Sequence, residues 1–230
     1  MLNEEQVAHV YKIINDPAHG REFYTHQMFG ELIGKVNEIY NELGLNYGTD
    51  REKIDKINNY IIKNVNIRRE YFDTFDERIP EFPEDEAIYR TAYAALVKGE
   101  TMCAGYAEAA RILLELAGLE TQTLLSKLPG KNKQLLHYVT AIKYDCGSGR
   151  DYYIMDPERQ KSCEKKGYDF RQYLLNMTFI KPNEDFFNDK IGKNGVGPKA
   201  DDYIQNSKPM TVVGKNKVDL LFKNTVMERE

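Results

Sequence analysis

Three residues in this 230-residue chain have the types and the order that thiol chemistry needs: Cys103, then His137 34 residues later, then Asp156 a further 19 on. A thiol is a weak nucleophile until it is deprotonated. An imidazole beside it takes the proton, and a carboxylate on the far side of the ring holds that imidazole in one tautomer and one orientation. Cys103 stands in the run Gly99-Glu100-Thr101-Met102-Cys103-Ala104-Gly105-Tyr106-Ala107-Glu108, and behind it Ala107, Ala110, Ile112, Leu113, Leu114 and Leu116 recur as one amphipathic helix stopped by Gly118. A helix that starts at the cysteine sets the positive end of its dipole beneath the sulfur and favours the thiolate.

Each residue has an ordinary alternative. A cysteine on the small-residue face of a helix is most often a buried hydrophobe. A histidine inside Leu135-Leu136-His137-Tyr138-Val139-Thr140 is more often a satisfied core residue, and Asp-Pro commonly ends a strand and caps a turn. What separates the set from three coincidences is company. The other histidines, His9, His19 and His26, all lie in the N-terminal helical region, so His137 is the base that the order of elements can bring to Cys103.

The elements that must position these residues follow from periodicity. Val7, Val10, Tyr11 and Ile14 form one helical stripe and Phe29, Leu32, Ile33, Val36, Ile39, Tyr40 and Leu43 a second, so residues 1–48 read as a helical N-terminal extension. Thr49-Asp50-Arg51-Glu52 is a capping-box pattern ahead of Ile54, Ile57, Tyr60, Ile61 and Val65, a third helix. Residues 66–90 break the period, with Pro80, Pro83 and the acids Glu70, Asp73, Asp76, Glu77, Glu81, Glu84, Asp85 and Glu86, and read as a long loop. After the Cys103 helix the period changes to two. Strands are expected over Thr121–Ser126, Leu135–Tyr144 and Asp151–Met155, joined by turns at Pro129-Gly130 and at Asp145–Gly149.

Helices followed by a strand meander imply an α+β fold with an antiparallel sheet, in which His137 and Asp156 sit on neighbouring strands. A further helix is expected over Tyr168–Leu175. Residues 181–230 form a C-terminal extension with one hairpin, Thr211–Val213 against Val218–Phe222.

Composition narrows the class of function. The chain is 41% hydrophobic and 30% charged, without an apolar stretch of membrane-spanning length, which is the profile of a soluble globular protein. A net charge of −4, with no cluster of Lys and Arg interleaved with aromatics, argues against nucleic-acid binding. Three cysteines, Cys103, Cys146 and Cys163, are an odd count without a disulfide framework and fit a reducing compartment. The N-terminal run carries acids where an export signal carries lysines, so the chain as it stands reads as cytoplasmic; a secreted chain trimmed of its leader would look the same.

From Asp50 to Pro157 the chain resembles the transglutaminase-like superfamily of papain-fold thiol enzymes. The resemblance rests on the helix KIDKINNYIIKNVNI, the block TAYAALVKGETMCAGYAEAARILLELAGLE, a His-bearing strand and the ending YYIMDP. It implies a catalytic core over residues 49–180 with the nucleophile at the N-terminus of a central helix packed on the antiparallel sheet. Within it Cys103 would be the nucleophile, His137 the base and then the acid, and Asp156 the orienting carboxylate. The family commonly continues its histidine with Ala-Trp-Asn, whereas this chain has His137-Tyr138-Val139-Thr140 and no Trp anywhere. The aromatic oxyanion donor of transglutaminases is therefore sought at Tyr93, the nearest upstream candidate, and Tyr106 is read as a packing residue. Cys146 and Cys163 are too few and wrongly spaced for the paired CxxC zinc elements of the peptide N-glycanase branch, and no metal or organic cofactor is expected.

The function so implied is acyl transfer on peptide or protein amide bonds through a Cys103 thioester: cysteine protease, deamidase or transglutaminase according to the acceptor. The acidic loop, if it borders the cleft, favours a basic or amine-bearing substrate. The competing reading is a catalytically silent transglutaminase-like module that binds a partner.

Overall fold

The computed structural model describes residues 1–15, 24–68, 88–127, 136–145, 150–170 and 178–180. Three helices open the chain: α1 (Glu4–Ile14), α2 (His26–Glu42) and α3 (Asp50–Asn64). Each begins where a short polar side chain satisfies the unpaired amides of the first turn: Asn3, Thr25 and Thr49 respectively, with reciprocal capping boxes at Asn3/Gln6 and Thr49/Glu52. Their apolar stripes, among them Val10, Ile13, Leu32, Val36, Ile39, Ile54, Ile57 and Ile61, are all buried in one cluster with the helix that starts at Cys103.

That helix, α4 (Cys103–Leu116), is the centre of the molecule. Apart from half-buried Cys103, Arg111 and Glu115, every residue along it is buried, which is how a helix behaves when it is packed on several sides. It meets α1, α2 and α3 on one side and the strands on the other. Even Glu108, in the middle of α4, is enclosed; its carboxylate accepts hydrogen bonds from the Tyr24 hydroxyl at 2.7 Å and the Ala92 amide at 2.5 Å. A buried charge of this kind needs such partners.

Chain entry into α4 is tightly prescribed. A short 3₁₀ turn (Ile88–Arg90) and a wide π-helical turn (Ala94–Lys98) lead to Gly99, whose φ of +73° ends the turn in the left-handed region. Two short strands, β1 (Asn66–Ile67) and β2 (Glu100–Thr101), then pair in parallel, tying the end of α3 to the residues just ahead of Cys103. Gly105 explains why the first turn of α4 admits no larger residue. A Cβ there would collide with Thr101 Oγ1 and come within 2.6 Å of the Thr91 carbonyl oxygen, so the helix start lies directly against the Thr101 side chain of β2 and the backbone of Thr91.

Beyond α4 the chain reverses at Gly118 (φ +89°) into β3 (Thr121–Lys127), β4 (Leu136–Asp145) and β5 (Arg150–Met155). With β6 (Thr178–Ile180) these form one antiparallel sheet in the order β5-β4-β3-β6. The α+β architecture and the antiparallel meander expected from the change of period are both present. Thr140 of β4 fastens the sheet to α4 by donating its hydroxyl to the Ala107 carbonyl at 3.1 Å.

Besides β1, which falls in the stretch expected to be a loop, one element departs from the sequence reading. Asp156-Pro157 does more than end a strand: it starts α5 (Pro157–Lys166), with Asp156 as N-cap and Pro157 in the first turn. The segment PERQKSCEKK has a weak apolar stripe, with Pro157, Glu158 and Cys163 as its buried residues, so periodicity gave no sign of it. Of the helix expected over Tyr168–Leu175 the described residues reach only Phe170. The acidic stretch from Glu70 to Glu86, the Pro129-Gly130 turn, Cys146 and the hairpin between Thr211 and Phe222 lie outside the described residues. Among the described residues no helix is long and apolar enough to cross a membrane.

Candidate active site

Cys103 is the first residue of α4. The N-cap position before it is Met102, whose thioether is only a weak acceptor, and no side chain caps this helix. The other four long helices are capped by Asn3, Thr25, Thr49 and Asp156. The positive end of α4 is therefore left to whatever occupies the space beside Cys103. Met102 itself is fixed through its backbone amide, which donates to the Tyr89 carbonyl at 2.7 Å.

His137 comes from β4, three residues before the last rung of the β4–β5 ladder, Thr140 opposite Met155. Asp156 is the residue immediately after that rung. There the chain leaves the strand (φ −139°, ψ 75°) and turns into α5. The sheet end and the helix start thus converge on the imidazole. Asp156 Oδ2 lies 2.9 Å from His137 Nε2, both side chains being 2% exposed, while Asp156 Oδ1 accepts the Arg159 backbone amide at 3.1 Å. One carboxylate oxygen caps the helix and the other holds the ring, so the backbone fixes the direction in which the carboxylate points.

With Nε2 given to Asp156, the ring's Nδ1 faces Glu158 Oε2 at 3.9 Å. The Cys103 sulfur, a His137 ring nitrogen and a Glu158 oxygen lie within 4.8 Å of one another. Glu158 was not read from the sequence as a site residue. The only available signal was its place two residues after Asp156, and without the helix start that signal has no meaning.

The electrostatics are set by burial and by the two carboxylates. Burial opposes a charged imidazole, but the negative charges of Asp156 and Glu158, the hydrogen bond to Asp156 and the one to Cys103 outweigh it and hold the His137 pKa well above its ordinary value. Glu158 is pushed up by its own burial, against the pull of His137 and Arg159. Cys103 is the half-buried member, whereas His137, Asp156 and Glu158 are enclosed, so the cluster meets solvent at Cys103.

No protein-family model matches the sequence, and no curated protein matches it. In structure the chain is similar to a TGase. That likeness has 12% identity and a TM-score of 0.48, over 68% of this chain and 39% of the other. Similarity extends to a proposed cysteine protease from Cytophaga hutchinsonii, at 12% identity and a TM-score of 0.39 over 59% of this chain and 43% of that one. It extends also to a proposed protease from Parabacteroides distasonis, at 14% identity and a TM-score of 0.36 over 66% and 26%. The chain thus spans less than half the length of each of these solved structures.

Tyr93 is not drawn into the cluster by its hydroxyl, which donates to Glu31 of α2 at 2.6 Å. Tyr106 is buried and donates to the Val65 carbonyl at 2.9 Å, bolting α4 to the end of α3 as a packing residue would. The same carbonyl accepts Lys161 Nζ at 2.7 Å, so α3, α4 and α5 meet at one backbone oxygen beneath the site. Cys163 is a buried free thiol on α5.

Proposed function

We propose that this chain is a thiol-dependent acyl-transfer enzyme that acts on peptide or protein amide bonds through a thioester on Cys103. The observation that carries the reading is the buried pair of His137 Nε2 and Asp156 Oδ2 at 2.9 Å, set so that the imidazole also reaches the sulfur at the uncapped start of α4.

The steps follow from these groups. The Cys103 thiolate adds to the amide carbonyl, and the developing oxyanion is met by backbone N–H groups at the helix start. His137 gives its proton to the departing amine as the C–N bond breaks, leaving the acyl group on sulfur. Water or a second amine then attacks the thioester, His137 takes the incoming proton, and Cys103 is released. Asp156 keeps Nε2 engaged throughout and favours the imidazolium. Water as acceptor makes the enzyme a protease or deamidase; a lysine amine makes it a transglutaminase. Hydrolysis is the favoured branch. If the acidic residues between Glu70 and Glu86 border the cleft, they would select a basic or amine-bearing substrate.

The deciding experiment incubates the protein with a peptide library and a labelled primary amine and reads the products by mass spectrometry. Cleavage, deamidation or amine incorporation that disappears in Cys103→Ala supports the reading. Identical product patterns from wild type and Cys103→Ala would remove it.

A further inference from the structure

The buried carboxylate of Glu158 has no part in the triad. Its side chain is 1% exposed, and neither oxygen has a hydrogen-bond partner among the described residues. The nearest cationic groups, His137 Nδ1 and Arg159 Nε, stand at 3.9 and 3.8 Å, beyond hydrogen-bond reach. Buried carboxylates are ordinarily paired at close range or bound to a metal. This one faces a thiol and an imidazole, and the three donor atoms lie within 4.8 Å of one another.

We infer that Cys103 Sγ, His137 Nδ1 and Glu158 form a three-ligand site for a thiophilic divalent cation of the Zn²⁺ class. Three features fit it. Sulfur, imidazole and carboxylate together suit zinc rather than magnesium or calcium, which prefer all-oxygen shells. Ligand atoms on a tetrahedral zinc lie about 3.5 Å apart, so side-chain shifts on the order of 1 Å bring the three to bonding distance. His137 already carries the outer partner that metal-bound imidazoles need, since Asp156 engages Nε2 and fixes the ring with Nδ1 toward the site. The fourth position opens on the solvent-reached side, at Cys103. On binding, the proton shared by the Cys103–His137 pair leaves to solvent, Glu158 binds as carboxylate, and no electrons move. The cation would hold the nucleophile and its base in one complex. This silencing rests on the acyl-transfer reading; the metal site itself does not.

The test uses Co²⁺ as a coloured stand-in, titrated into the full-length chain, with iodoacetamide alkylation of the metal-free protein measured in parallel. A thiolate-to-cobalt charge-transfer band at one equivalent is expected, retained in the Cys146→Ala/Cys163→Ala double variant and lost in Cys103→Ala. Glu158→Gln should weaken cobalt binding by at least about 10-fold. X-ray absorption on the zinc-loaded wild type should read one sulfur neighbour with nitrogen or oxygen neighbours, which needs no variant to fold. Absence of the band, two or more sulfurs on the metal, or a folded Glu158→Gln that binds as tightly as wild type would overturn the site. Fast alkylation of Cys103 without a cobalt band sinks the metal site and leaves the acyl-transfer reading standing. A cobalt band together with a sluggish Cys103 supports the metal site while counting against catalysis.

Discussion

Asp156 and His137 meet through one oxygen of the carboxylate, Oδ2, while the other oxygen, Oδ1, caps α5 by accepting the Arg159 amide. The consequence is rigidity: the helix start aims the carboxylate, and the carboxylate aims the ring. Removing the charge and removing the cap are separable operations, and the first prediction uses that.

Asp156→Asn keeps a good capping side chain but cannot stabilise an imidazolium. Turnover should fall by roughly 10²- to 10⁴-fold while the helix cap is kept, so any loss of stability reports the missing charge beside His137. Asp156→Ala should lose similar activity and, in addition, about 1 kcal/mol or more from the helix cap. Steady-state kinetics and urea unfolding on the two variants separate the effects. Equal activity of Asp156→Asn and wild type would show that the carboxylate serves the fold alone.

His137→Ala should slow alkylation of Cys103 by at least about 10-fold at pH 7, because the imidazole that hydrogen-bonds the sulfur is gone. Peptide mapping after brief iodoacetamide treatment gives the rate at each cysteine. A Cys103 that reacts no faster than Cys163 in the wild type would undo the assignment of the nucleophile.

Stability should decline as pH rises above neutrality. Folding raises the His137 pKa, so above its unfolded value of about 6.5 the native state retains a proton that the unfolded chain gives up. Its stabilisation is complete below that pH and is lost as pH climbs through the folded value. Glu158, also raised in the fold, contributes with the same sign from about pH 4.3 upward. One proton of difference corresponds to a slope of about 1.4 kcal/mol per pH unit. Urea midpoints between pH 6.5 and 9 should fall in the wild type and flatten in His137→Asn. A wild type that gains stability across that range would contradict the electrostatics.

Gly105→Ala sets two effects against each other. At an open helical position the change would stabilise by about 1 kcal/mol through helix propensity. Here the new Cβ meets Thr101 Oγ1 and the Thr91 carbonyl, the latter fixed in backbone, and such overpacking costs about 1–3 kcal/mol. Net destabilisation is expected, together with reduced thiol reactivity as the start of α4 is pushed from β2. A more stable Gly105→Ala in urea unfolding would show that the helix start has room to move.

Periodicity and capping made much of the scaffold legible. Thr49-x-x-Glu52 announced α3, the small-residue run after Cys103 announced α4, and the switch to alternation announced β3, β4 and β5, because these signals are local and each element's own residues carry them. The same order of elements made Cys103, His137 and Asp156 a reasonable set. Alternation alone could not reveal α5, whose residues are polar almost throughout and whose helix is held by a cap at Asp156 and by contacts of Asn58 and Val65 with Gln160 and Lys161. Nor could it reveal the parallel β1–β2 pair, two residues long on each side and made by segments 34 positions apart.

The sequence by itself determined that a helix begins at the thiol and that a cysteine, a histidine and an aspartate follow one another in the order thiol chemistry uses, since residue type, order and helix start are local properties. Only the tertiary structure decided their surroundings. It aimed Asp156 by making it a helix cap, committed the Tyr93 hydroxyl to Glu31, and delivered Glu158 to the sulfur and the imidazole. The placing of Asp156 and Glu158 depends on where α5 leaves the sheet, which is fixed by long-range packing against α3 and α4, and the Tyr93 bond depends on how α2 packs on the turn before Gly99, neither being set by any run of neighbouring residues.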